Sequence, residues 1–243
     1  MAPSQKKSSD IIRTIEDGLR ALGDPNQARF LQGFFKTGPG EYGEGDIFVG
    51  IRVPVIRKLV KDHQALPVPT AFQLLRSPIH EARLLALLIL IRHFQRADLP
   101  LQNQICETYL QNTRFINNWD LVDLSAPHIV GPQIIQFGQN RLLKMAASSL
   151  LWDRRISIVS TFYLIRQRKF SIALRIAARL LQDPEDLIHK AVGWMLREIG
   201  KRDRQIEESF LLQHYPKMPR TMLRYAIERF PEDLRQKYLH GKM

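Results

Sequence analysis

Apolar residues return along this chain with a helical rather than a strand period. Leu84, Leu87, Leu88 and Ile91 fall on one face of one segment, and Ile172, Ile176, Ala177 and Leu180 on one face of another. Strand-like alternation is almost absent, so the chain is expected to be all-α. Prolines interrupt the pattern at Ser77-Pro78, Ala126-Pro127, Gly131-Pro132, Asp183-Pro184 and Met218-Pro219, which predicts many short helices. The most apolar run, Leu84 to Ile91, is too short to span a bilayer and is flanked by arginines; a buried helix accounts for it.

A second periodicity is longer. Basic residues at the head of apolar runs, Arg83, Arg155, Lys190 and Arg224, are separated by 72, 35 and 34 residues. The first gap is two periods, and the unit that should fall inside it contains W-D-L-V-D-L-S-A. A period of this length in an all-α chain signals stacked helix pairs, a curved solenoid of HEAT-like repeats with equivalent positions in a stripe on its concave wall. The competing account is that these cations only solvate helix ends. Residues 1–10 are expected to form a disordered tail without the apolar core of a secretory signal, and residues 11–243 a single HEAT-like repeat domain.

Charge adds a direction to this picture. The 243 residues carry a formal charge of +12, and residues 141–243 alone hold 21 Lys and Arg against 11 Asp and Glu. A positive concave face suits a polyanion, with nucleic acid ahead of an anionic membrane surface. A single cysteine, Cys106, excludes a disulfide framework, favours a reducing, cytoplasmic setting, and sits in an apolar pattern that reads as core. In a bacterium the protein would accompany the nucleoid.

Most catalytic motifs fail on inspection. G-P-G-E-Y-G-E-G, residues 38–45, formally contains G-x-G-x-x-G, but a helix rather than a strand precedes it, and Glu41, Glu44 and Asp46 would repel a phosphate. It reads as a glycine-rich turn or short hairpin carrying Tyr42. No histidines or cysteines stand at metal-ligand spacing, and there is no nucleophile elbow or Walker loop, so no metal or other cofactor is expected. His80, His189 and His214 read as helix-end or groove-facing polar residues. Carboxylates are the chemistry that remains.

One stretch concentrates them: N-N-W-D-L-V-D, residues 117–123. With Asn118 as cap, Trp119 opens a helix and Asp120 complements its dipole, a sufficient structural task. Asp123 lies one turn further in, on the face of Trp119. On spacing alone two accounts stand: Trp119 is core and Asp123 pairs with an arginine, or the two form a site. Trp152 near Arg155 and Trp194 near Lys190 place all three tryptophans beside the basic stripe, which favours the site.

At these residues the sequence resembles the AlkD family of DNA alkylation repair proteins, HEAT-like DNA glycosylases. The segments that carry the resemblance are G-I-R-V-P-V-I-R-K-L-V-K (50–61), N-W-D-L-V-D (118–123), L-L-W-D-R-R (150–155) and H-K-A-V-G-W-M-L-R-E (189–198), in the family's order between about residues 28 and 230. The resemblance implies hydrolytic release of cationic N3- or N7-alkylated purines from double-stranded DNA, the opening step of base excision repair. It implies Asp123 as catalytic carboxylate, held ionised by surrounding cations, and Trp119 and Trp194 against the lesion. Arg155 and Arg57 would contact the DNA backbone, with Lys190, Arg83 and Arg224 of the basic stripe beside them. The lesion would be processed without being held in a base pocket. A longer glycine-rich segment before Gly50 departs from the family's pattern and keeps open a non-catalytic relative that binds branched or distorted DNA. A scaffold for acidic proteins is the reading from another class. One concave site needs only a monomer.

Overall fold

Caps and prolines set the helix ends in the computed structural model, which describes residues 3–243. The Asp24 carboxylate accepts from the Asn26 and Gln27 amides at 2.8 and 3.2 Å, and Pro25 supplies a first helical residue that needs no donor. The chain divides into two compact units, Met1–Ser125 and Ala126–Met243. The first holds α1 (Pro3–Leu22), α2 (Pro25–Phe34), α3 (Val53–Asp62), α4 (Val68–Leu74), α5 (His80–Arg96) and α6 (Leu99–Gln111), and α7 (Trp119–Ile129) begins in it. The second holds α8 (Ile134–Phe137), α9 (Gln139–Met145), α10 (Leu151–Val159), α11 (Phe162–Ile165), α12 (Ser171–Arg179), α13 (Asp186–Gly200), α14 (Arg204–His214), α15 (Arg220–Ala226) and α16 (Glu232–Leu239). No strand occurs among the described residues; one isolated parallel bridge joins Ile47 to Ile79. The architecture is all-α, with helices packed largely on near neighbours in the chain, as in a helical repeat array.

In the first unit α5 is the central rod, packed against α1, α3, α4 and α6. Its apolar run is covered on nearly every side, including Leu84, Leu85, Leu87, Ile89 and Leu90, as a helix apolar all round must be. Each such leucine contributes about 1.5–3 kcal/mol by leaving water. Cys106 is buried in α6. In the second unit α13 takes the central place, packing on α10, α12, α14 and α15. Gly193 permits the close approach of α15, because a Cβ there would lie 2.5 Å from the Met222 carbonyl and from Tyr225 Cβ. The glycine of K-A-V-G-W is thus a packing requirement.

Two sequence expectations change. The first helix starts at Pro3, so residues 3–10 belong to it rather than to a tail; residues 1 and 2 lie outside the described residues. Ala126-Pro127 does not end a helix: Pro127 sits inside α7, denying a hydrogen bond only to the Asp123 carbonyl four residues back, and the helix closes soon after at Ile129. Residues 38–45 take the first of the two forms expected of them, successive turns, with Glu41 and Glu44 carboxylates accepting from the Gly38 and Gly40 amides at 2.9 and 3.0 Å. No helix among the described residues is long and apolar enough to cross a membrane.

Candidate functional site

The N-terminus of α7 carries the candidate carboxylates. Asn118 is fully buried, and its side-chain oxygen accepts from the Trp119 amide at 2.8 Å, which fixes the first turn. Trp119 is half-buried, stacked on Phe35 with centroids 5.2 Å apart and edge-on to Phe34 at 6.1 Å. Asp123, also half-buried, follows one turn later. It lies near Tyr109, whose phenol is raised first by burial, with the Cys106 and Asp123 charges adding to that and a hydrogen bond with Ser125 opposing it.

Asp120 belongs to a different system. His80, only 2 % exposed, opens α5 with its two ring nitrogens facing carboxylates: Nε2 lies 2.8 Å from Asp120 Oδ2 and Nδ1 3.1 Å from Asp46 Oδ2. This arrangement suits an imidazolium donating from both nitrogens. Burial works against that charge, but the charge and hydrogen bond of Asp120 and the hydrogen bond of Asp46 outweigh burial and Arg83, so the pKa is raised above the usual imidazole value. Asp46 moves the other way: burial alone would raise it, yet His80, Arg83 and Asn117 hold it below the usual carboxylate range. The network ties the glycine-rich segment, α5 and the start of α7 together. Glu81 extends it, its carboxylate accepting from the amides of Val49, Gly50 and Ile51 at 2.8 to 3.2 Å.

Beside this network lies a cavity of about 590 Å3. Phe30, Leu31 and Phe34 of α2, Phe35 and Phe48 line it, with Arg52, His80 and Asp120 as polar groups. The Phe35 and Phe48 rings stack 5.0 Å apart, and Phe48 lies 4.3 Å from the His80 ring. Sequence reasoning missed this wall and the Asp46–His80–Asp120 relay. The F-x-x-x-F-F of residues 30–35 was the signal available for the wall.

The cations expected on DNA meet different fates. Arg57 on α3 and Arg224 on α15 are exposed, and Lys190 on α13 is partly exposed with Asp186 2.7 Å away. Arg83 is corrected: it is 4 % exposed, with Nη2 2.6 Å from Asp46 Oδ1 and Nη1 donating to the Ser77 carbonyl, so it neutralises a buried carboxylate instead of facing solvent. Arg155 on α10 is likewise 4 % exposed and donates from Nη1 to the Leu187 carbonyl. In the same unit Trp194 is half-buried against Phe162, centroids 5.8 Å apart, while Trp152 is core. His189 and His214 take the helix roles expected of them, the first bonded to the Asp183 carbonyl and the second ending α14.

The fold is that of a solved structure described as a predicted DNA alkylation repair enzyme from Enterococcus faecalis. The two share 18 % identity at a TM-score of 0.66, over 86 % of this chain and 97 % of that one. No curated protein matches the sequence. A family model described as DNA alkylation repair enzyme matches residues 15–230, and the chain belongs to that family. Its role lies in the repair of alkylation damage, which entails binding DNA.

Proposed function

We propose that this protein is a monofunctional DNA glycosylase that releases N3- and N7-alkylated purines from duplex DNA, with Asp123 as its catalytic carboxylate. The observation that carries the proposal is the pairing at the start of α7. Asp120 is held by His80, and Asp123 stands half-buried one turn from the half-buried ring of Trp119. An alkylated purine is already cationic, so its bond to C1′ is weakened. When that bond breaks, the electron pair goes to the base and neutralises it, while positive charge develops at the sugar. A fixed carboxylate stabilises that charge and orients the water that adds to C1′ and loses a proton.

Trp119 and Trp194 contact the damaged nucleotide through ring faces that attract cations by about 0.5–2 kcal/mol. Arg57, Lys190 and Arg224 hold backbone phosphates. Arg155, as buried as Arg83, ties α10 to α13 through the Leu187 carbonyl rather than gripping a phosphate itself. Both units serve as parts of one repeat domain, with the whole of α1 included.

The test is release of N7-methylguanine and N3-methyladenine from methylated duplex DNA by wild type and Asp123→Asn. Release by wild type alone, with DNA binding kept in the variant, is the expected result. Equal release by both would overturn the assignment of Asp123. Release by neither, while both bind duplex or branched DNA, would replace the glycosylase with a non-catalytic binder.

A further inference from the structure

We propose that the cleft between the end of α13, the start of α14 and the turn Ile227–Arg229 is a binding site for a tetrahedral oxyanion, a phosphate group that is free or ends a strand. The inference stands apart from the glycosylase reading, because none of the residues that line this cleft is one on which that reading rests.

Two buried polar atoms supply the first observation. The cleft, about 160 Å3, is lined by Arg197, Lys201, Arg204, Glu207, Arg229 and Phe230, with Gly200 at its wall. Glu207 is 2 % exposed, and its Oε1 has no hydrogen-bond partner; the buried Nε of Arg197 has none either. Buried polar atoms are almost always paired, so two orphans on one cleft mark the place of a polar occupant. Gly200 makes the arrangement possible. A Cβ there would collide with Glu207 Oε2, so the carboxyl takes the space that a side chain would fill.

Charge sets the sign of that occupant. Three of the four cations already face a carboxylate: Arg197 pairs with Glu228, Lys201 Nζ lies 2.5 Å from Glu198 Oε1, and Arg204 Nε lies 2.8 Å from Glu208 Oε1. Arg229 is exposed and has no such partner among the described residues. Arg204 is steadied over the Phe230 ring, 4.5 Å from its centroid, with only Nε engaged. Glu207 does not cancel this charge. Burial pushes its carboxyl up to about 8 against Arg204 and Arg197, with Glu208 adding, so near neutrality it offers an O–H donor. Tyr238 of α16, raised by burial and by Glu208 and Glu207, stays a neutral phenol. Guanidinium forks match the edges of a phosphate, and a protonated carboxyl adds one more donor to it. Size excludes more than the oxyanion itself, since sites that enclose larger organic ligands start at about 300 Å3. A phosphate inside a strand carries chain on both sides, which leaves the free ion and a terminal phosphate as the sources.

Isothermal titration calorimetry of the full chain with sulfate, a tetrahedral oxyanion whose charge is the same from about pH 7 to about pH 9, tests the site. One saturable site is expected near pH 7, weakening about tenfold per pH unit above about 8 as Glu207 ionises. Glu207→Gln keeps a donor and cannot ionise, so it should match wild type near pH 7 and hold that affinity near pH 9, where wild type has lost about tenfold. Arg229→Ala, changed at an exposed position, should bind about tenfold more weakly near pH 7. No saturable binding, an unaltered Arg229→Ala, or one pH dependence shared by wild type and Glu207→Gln would overturn the proposal. Competition separates the sources. Displacement of sulfate by inorganic phosphate and by a duplex with 5′-phosphate ends, but not by the same duplex with 5′-hydroxyl ends, assigns the strand end; displacement by inorganic phosphate alone assigns the free ion. Displacement by both duplexes alike would overturn the site, because the cleft would then belong to the face that binds any DNA. Asp123→Asn should titrate as wild type does, so base release and oxyanion binding fail independently.

Discussion

Replacing His80 by glutamine removes the buried cation that joins the glycine-rich segment, α5 and α7. Two carboxylates lose their partner, at 3.1 Å for Asp46 and 2.8 Å for Asp120. Asp46 keeps Arg83 at 2.6 Å, so Asp120 is the charge left uncompensated. Removing one member of a buried pair costs about 3–5 kcal/mol, and the glutamine amide can still donate to one carboxylate, which places the expected loss near 3 kcal/mol. Against a typical domain stability of about 5–15 kcal/mol the variant should still fold. The pH dependence is the sharper signature. The folded-state pKa of His80 is raised, so its contribution is complete below the unfolded value of about 6.5 and is lost as pH rises through the folded value. Asp46 is depressed, so its contribution is present above the unfolded carboxylate value and fails as pH falls through the folded one. Urea unfolding of both proteins from about pH 5 to 9 should therefore show the widest gap near pH 6 and a narrowing gap above it. A gap under about 1 kcal/mol, or one constant with pH, would refute the relay as a charged device. Base release should fall in the variant as well, because Asp120 holds the turn that presents Trp119 and Asp123.

Other positions give independent checks. Burial pushes the Glu207 carboxyl up to about 8, with Arg204 opposing, Glu208 adding and Arg197 opposing. A raised carboxyl favours the folded state below the unfolded value and penalises it as pH rises through the folded one, so Glu207→Gln should stabilise by about 3 kcal/mol near pH 8 and by nothing near pH 4, read from thermal unfolding. Gly50 has φ +88°, and a Cβ there would lie 2.1 Å from the Asp24 carbonyl; Gly50→Ala should cost about 2 kcal/mol or more, and a neutral substitution would mean that this approach of loop to α2 is not needed. Arg57→Ala combined with Arg224→Ala should make the dependence of log K on log salt shallower by about 0.9 for each phosphate no longer neutralised, and an unchanged slope would remove both from the DNA interface.

What the sequence revealed and what it hid divide along a physical line. Local periodicity was legible: the run from Leu84 to Ile91 is the buried α5, and prolines mark most helix ends, because both effects act within a turn or two of chain. Arg83, Arg155, Lys190 and Arg224, spaced along the sequence at multiples of about 35 residues, each fall on a separate helix. Burial at those positions was not legible. Arg83 is drawn inward by Asp46, a residue of the glycine-rich segment that no periodicity connects to it. The aromatic wall stayed hidden for a related reason: four phenylalanines at helical and loop spacing look the same whether they fill a core or surround a cavity, and only the third dimension separates the two. The carboxylates of α7 show the limit most clearly. Asp120 and Asp123 are the same side chain a turn apart, and the helix dipole already gave Asp120 a structural task. The stronger structural task of Asp120 comes from His80, which is 40 residues earlier and bonds to it at 2.8 Å. What commits Asp120 to holding the fold is a partner of opposite charge, and nothing in the residues around Asp120 points to a histidine so far back in the chain.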